Sequence, residues 1–183
     1  MSAMYKSLPA FLFVFFVAPL SVSAQVVFTE IMYSPDGADG GREWVEVKNT
    51  SGSAIDLGGW KLFENETNHY IKAAAEGATT TLLSGGYAVI TDNPASFLVD
   101  WSNFSGLLLD SAFSLGNTGE TLVLRNGELV DVNTVAYDAA LGADGDGKSL
   151  QFVGGEWVAA APTPGKENEV TAPQNEPLMM SGV

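Results

Sequence analysis

Residues Gly142-Ala143-Asp144-Gly145-Asp146-Gly147-Lys148-Ser149 satisfy the expression for a phosphate-cradling loop, with Lys148 where a phosphate would be met. That chemistry requires the loop to lead into a helix, because the free N–H groups and positive dipole end of its first turn hold the anion. The residues after Ser149 are instead Leu150-Gln151-Phe152-Val153-Gly154-Gly155, which alternate and then turn, as a strand does. Asp144 and Asp146 would also set two negative charges beside the phosphates. A glycine-rich loop between strands is expected, with no nucleotide bound.

The same loop offers oxygen ligands at Asp144 and Asp146, and a second acidic loop, Asp36-Gly37-Ala38-Asp39-Gly40-Gly41, offers two more. Hard cations favour such clustered carboxylates. An EF-hand is excluded: counting from Asp144, the fifth position is Lys148, the sixth Ser149 and the twelfth Gly155. Asp36, Asp39, Asp144 and Asp146 therefore stand as calcium candidates of a non-EF type, weighed against solvated acidic turns, and no other cofactor is expected.

Paired-carboxylate chemistry would have to draw on Glu30, Glu43 and Glu46. Glu43 and Glu46 differ by three and so fall on opposite faces of a strand. Only Glu30 with one of them could converge, and charges that guard an edge strand are the expectation. His69, the single histidine, lies in the polar stretch Asn65-Glu66-Thr67-Asn68-His69-Tyr70, without a nucleophile elbow, and is expected as an exposed or hydrogen-bonded loop residue. The absence of cysteine removes thiolate nucleophiles, thiolate zinc sites and disulfides. No catalytic residue is assigned, and the chain is expected not to be an enzyme.

With 8 Lys and Arg against 22 Asp and Glu in 183 residues, the net charge is −14. A nucleic acid is therefore a poor partner, since phosphate neutralisation draws on clustered basic residues. Residues 1–24 read as a secretory signal. Lys6 precedes the apolar run Ala10–Ala18, and Val22-Ser23-Ala24 resembles a cleavage site. That run is shorter than the ~20 residues a membrane-spanning helix needs. Cleavage after Ala24 would leave residues 25–183 in the periplasm or outside the cell, with no transmembrane anchor. The three matches to the N-glycosylation pattern, at Asn49, Asn65 and Asn103, matter only in a host that glycosylates.

The elements that must position these groups are mostly strands. Val26–Met32, Arg42–Lys48, Ile55–Phe63, Thr79–Leu83 and Tyr87–Thr91 are apolar or alternating runs broken by Gly, Asn, Asp and Ser. Asn126-Gly127 separates two β-rich arms and predicts a two-residue hairpin, with Leu122 and Leu124 pointing inward and the second arm running through Val135 and Tyr137. Gly154-Gly155 predicts another, joining Leu150–Val153 to Glu156–Ala159. Asn93-Pro94 opens the one helix, ending near Trp101. Trp60, after Gly58-Gly59, is expected as a core pin. About nine strands and one short helix predict an all-β antiparallel sandwich, because parallel pairs need crossover helices. Residues 25–165 form that single domain, and 166–183 read as a flexible polar tail.

Several segments in order carry a resemblance: Val27-Phe28-Thr29-Glu30-Ile31-Met32-Tyr33, Glu43-Trp44-Val45-Glu46-Val47-Lys48-Asn49, and Ile55-Asp56-Leu57-Gly58-Gly59-Trp60-Lys61-Leu62. Leu83-Ser84-Gly85-Gly86-Tyr87-Ala88-Val89-Ile90, Leu115–Leu124 and Pro162-Thr163-Pro164-Gly165 extend it. The chain resembles the lamin tail domain family in its bacterial, exported form. The resemblance implies an immunoglobulin-like β-sandwich and a secreted or surface module that binds a protein or polysaccharide of the envelope or extracellular space. It points to attachment more than catalysis. The rival expectations are a calcium-dependent carbohydrate-binding domain and an accessory module of a secreted hydrolase acting in trans. Heptad patterning is absent, so filament formation is not implied.

Overall fold

The computed structural model describes residues 25–169, so the signal segment expected at 1–24 and the chain from 170 onward lie outside the described residues. In chain order the strands are β1 (Val26–Met32), β2 (Trp44–Asn49), β3 (Ile55–Asp56), β4 (Lys61–Glu64), β5 (Thr67–Tyr70), β6 (Lys72–Ala73), β7 (Thr81–Leu82) and β8 (Tyr87–Thr91). Helix α1 (Pro94–Asp100) is followed by β9 (Leu107–Asp110), β10 (Gly119–Arg125), β11 (Asp131–Asp138), a 3-10 turn at Ala139–Leu141, β12 (Ser149–Val153) and β13 (Glu156–Ala160). Thirteen strands replace the nine expected, because Ile55–Phe63 is split by the turn Leu57–Trp60 and three strands are only two residues long.

A seven-stranded sheet runs β13-β12-β1-β2-β8-β9-β6, and a four-stranded sheet runs β11-β10-β4-β5. Their facing sides bury Ile31, Val45, Val47, Leu62, Leu122, Leu124 and Leu150, each fully inaccessible, so the sandwich core follows the alternation of the strands. Strand β2 is buried on both faces. Val45 and Val47 enter that core, while Trp44 turns outward into a second cluster with Met32, Val89 and Phe97, which α1 covers. Trp44 is 1% exposed and meets Phe97 edge-on at 6.0 Å, so Trp44 is fully buried while Trp60 only packs half-buried against the main core.

Helix α1 begins as its sequence dictates. Asn93 accepts hydrogen bonds from the N–H groups of Ala95 and Ser96, and Pro94 occupies the first turn. The helix corrects one expectation, however. β8 and β9 pair in parallel, with Ala88 opposite Leu107 and Thr91 opposite Asp110, and α1 lies within their crossover. A two-turn helix with its flanking loops is enough to return the chain to the same edge. The Asn126-Gly127 turn is also different from expectation. Residues 126–130 form a wider loop in which the Asn126 Oδ1 accepts from the N–H groups of Glu128 and Val130, and Leu129 takes φ +64°. Satisfying two N–H groups with one side chain favours this loop over a two-residue turn. The Gly154-Gly155 hairpin forms as expected, with both glycines at positive φ and Val153 opposite Glu156.

Candidate functional site

The two acidic loops do meet. Asp36 and Asp39 lie between β1 and β2, Asp144 and Asp146 precede β12, and Ser34 joins them by donating to Asp144 Oδ1 at 3.0 Å while its carbonyl accepts the Gly145 N–H. Their carboxylates are committed separately. Asp39 accepts from Asn117 Nδ2 at 2.8 Å, and Asp146 holds Lys148 Nζ at 2.6 Å. Among the described residues no three acidic or imidazole side chains form a group that could hold a metal ion, so Asp36, Asp39, Asp144 and Asp146 are not gathered to one point. Lys148 leads directly into β12, a strand, and the structural context of a phosphate-binding loop is missing.

Glu30, Glu43 and Glu46 are not edge charges. β1 and β2 are interior strands, and the three side chains are 0%, 3% and 0% exposed. Glu43 accepts the Leu115 N–H at 3.0 Å, and burial pushes its pKa up to about 8. Glu30 and Glu46 stand directly opposite each other across β1 and β2 and therefore share a face. Burial raises Glu30 above the usual carboxylate range, against the pull of its hydrogen bonds, and raises Glu46 to about 8.

That face is covered by the turn Pro162-Thr163-Pro164-Gly165. Glu30 Oε1 accepts from Ser149 Oγ at 2.5 Å and from the Thr163 N–H at 3.0 Å, and Glu46 Oε2 accepts from the Gly165 N–H at 2.6 Å. Thr29 Oγ1 donates to Glu46 Oε1 at 2.7 Å. Beyond the turn, Asn168 Nδ2 donates to the Thr29 carbonyl at 2.6 Å, so the segment expected as the start of a tail remains bonded to β1. A strap without regular structure is thus fixed by two buried side chains.

The strap forms one wall of a cleft of about 320 Å³, and the connection from Trp101 to Gly106 forms the other. Phe104 packs edge-on against Phe97 at 5.1 Å, and an atom added at the Gly165 Cα would come within 2.9 Å of its ring. Asp100, Ser102, Asn103 and Lys166 bring charge, hydroxyl and amide groups to the cleft. Aromatic and proline rings with a few polar groups suit binding rather than bond-breaking.

His69 occupies β5 rather than a loop, with Nε2 2.9 Å from Glu64 Oε1 but off the hydrogen-bonding direction. Sequence reading missed Glu64, Glu120 and Tyr137. Glu120 sits opposite Tyr137, whose hydroxyl donates to Glu120 Oε1 at 3.0 Å, and the Gly116 N–H donates to the same oxygen at 2.9 Å. Burial and the neighbouring Glu120 raise the Tyr137 phenol, so it remains a donor. The inward alternation around Leu62 and Leu122 was the available signal, because Glu64 and Glu120 each lie two residues from one of them.

The family model described as Lamin Tail Domain matches residues 19–138. The chain belongs to the lamin tail domain family, and its sheets are the immunoglobulin-like sandwich of that family. No curated protein matches the chain. The match ends before β12, although β12 lies between β1 and β13 in the larger sheet and its Ser149 and Gln151 hold Glu30. The fold therefore extends beyond the matched segment.

Proposed function

We propose that this protein is an exported, non-enzymatic attachment module that binds an envelope or extracellular partner, protein or polysaccharide, through the loops at the cleft between residues 100–106 and 162–166. One observation carries the reading: Glu30, Glu43 and Glu46, the carboxylates that could have formed a catalytic pair, are buried and spent on holding main-chain N–H groups. What remains open to a partner is a preformed cleft with both walls fixed from beneath. Membership of a family of immunoglobulin-like interaction modules supports the same reading.

Export of the intact precursor, followed by N-terminal sequencing and by esterase, phosphatase and glycosidase screens, tests it. The reading expects a chain beginning at Gln25 outside the cytoplasm, without turnover above background. Retention in the cytoplasm, or an activity lost in His69→Ala or Glu30→Gln, would overturn it.

A further inference from the structure

The turn at 162–165 crosses the outer face of β1 and β2, and what fastens it there is polar. The Thr163 N–H donates to Glu30 at 3.0 Å, the Gly165 N–H donates to Glu46 at 2.6 Å, and Gln151 Nε2 on β12 donates to the Ala161 carbonyl at 2.6 Å. None of residues 161–168 belongs to the buried core. A segment with so little apolar burial opens at lower cost than the sheets beneath it. Lifting it uncovers Glu30 and Glu46 and leaves the strand ladders whole.

As neutral acids, Glu30 and Glu46 suit a dry site directly opposite each other, whereas two carboxylates there repel and lack water. Lys48, two residues beyond Glu46 on β2, offsets that charge only in part, because its ammonium is shared with the Tyr87 ring at 4.8 Å and with Glu167 of the strap. β1 and β12 carry no other ionisable side chain, β8 only Tyr87, and the connection 101–106 none. Asp100, at the end of α1, is paired with Arg42 at 2.7 Å, and Lys166 of the strap is exposed. We propose that the strap is a proton-operated latch, closed over β1 and β2 while Glu30 and Glu46 are neutral and released from the sheet, with one wall of the cleft, when they ionise. Burial holds Glu30 above the usual carboxylate range and Glu46 at about 8, against 4.5 for a carboxyl in water. Between those values each opening releases protons, so opening becomes easier as pH rises and levels off for Glu46 above about 8. The consequence for a partner rests on the attachment reading: affinity through the cleft falls over the same range.

Amide hydrogen exchange of the protein alone, corrected for the intrinsic rate at each pH, tests the latch without any partner, so its failure is told apart from failure of the attachment reading. Protection of the Thr163 and Gly165 amides is expected to fall at least about tenfold between pH 6 and pH 8. The Val45 amide, in the β2 ladder between β1 and β8, should stay at least about tenfold better protected at both pH values, which marks the opening as local. Glu46→Gln should flatten the response at Gly165 and Glu30→Gln the response at Thr163, since the amide side chain cannot ionise. Glu43→Gln should leave both responses in place, because Glu43 is an equally buried acid that holds Leu115 and not the strap. Strap protection that ignores pH, strap and Val45 amides that exchange together, or a response that survives replacement of both Glu30 and Glu46 would overturn the proposal. So would its loss in Glu43→Gln.

Discussion

Glu30 and Glu46 face each other across β1 and β2, fully buried, and between them they accept N–H groups from Thr163 and Gly165 of a single turn. Two carboxyl groups so close and so dry are held most easily as acids. The hydroxyls of Thr29 and Thr163 donate to Glu46 and Glu30 and pull the other way, but burial outweighs them.

Acid should therefore strengthen the fold. Glu43 and Glu46 rise to about 8, and Glu30 rises too, all from an unfolded value near 4.5. Between those values the native chain binds more protons than the unfolded one, so stability declines as pH rises. It is fully present below about pH 4.5 and is lost as pH climbs through 8. Urea unfolding at pH 5 and pH 8 should differ by at least about 1 kcal/mol in favour of pH 5, and Glu46→Gln should reduce that difference. Unfolding that is easier at pH 5 than at pH 8 would refute this.

Gly165→Ala should loosen the strap. Gly165 has φ +81°, and an added Cβ would lie 2.9 Å from the Phe104 ring. The expected cost is about 1–3 kcal/mol, read as a lower urea midpoint, and Pro164→Ala should cost less. Equal effects from both would show that the turn does not hold Phe104.

Gly119→Ala should be more severe. Its Cβ would lie 2.5 Å from the Tyr137 carbonyl at φ +115°, where β10 begins to pair with β11. No flexible side chain can move aside, and a loss above about 3 kcal/mol is expected. Circular dichroism melts would register it as collapse of the main transition.

ATP, with or without magnesium, should leave the melting temperature unchanged, and Lys148→Ala should behave likewise. Lys148 is held by Asp146 and precedes a strand. A ligand that binds only the native state must raise that temperature, so a reproducible rise would reopen the phosphate reading.

Much of the fold could be read from local rules. The bounds of β1 and β8, the Asn93-Pro94 helix start and the Gly154-Gly155 hairpin reflect alternation, capping and turn chemistry, which act over a few residues. What depends on distant partners was illegible. Nothing local distinguishes an edge strand from an interior one, so Glu30 and Glu46 read as guards until β12 and β8 closed in on either side. Glu64 and Glu120 were missed because only the β4–β10 register brings them together. The parallel β8–β9 pair escaped because a short helix does not advertise a crossover.

Saturable adsorption of the purified protein to envelope and extracellular polysaccharide fractions, compared with Asn103→Arg and with Glu156→Arg on the opposite edge strand, bears most directly on the attachment reading. Asn103 lines the cleft, while Glu156 lies on β13. Adsorption weakened at least about tenfold by Asn103→Arg and unchanged by Glu156→Arg is the predicted result, a loss of about 1.4 kcal/mol. Adsorption indifferent to Asn103→Arg, or none to any fraction, would contradict it.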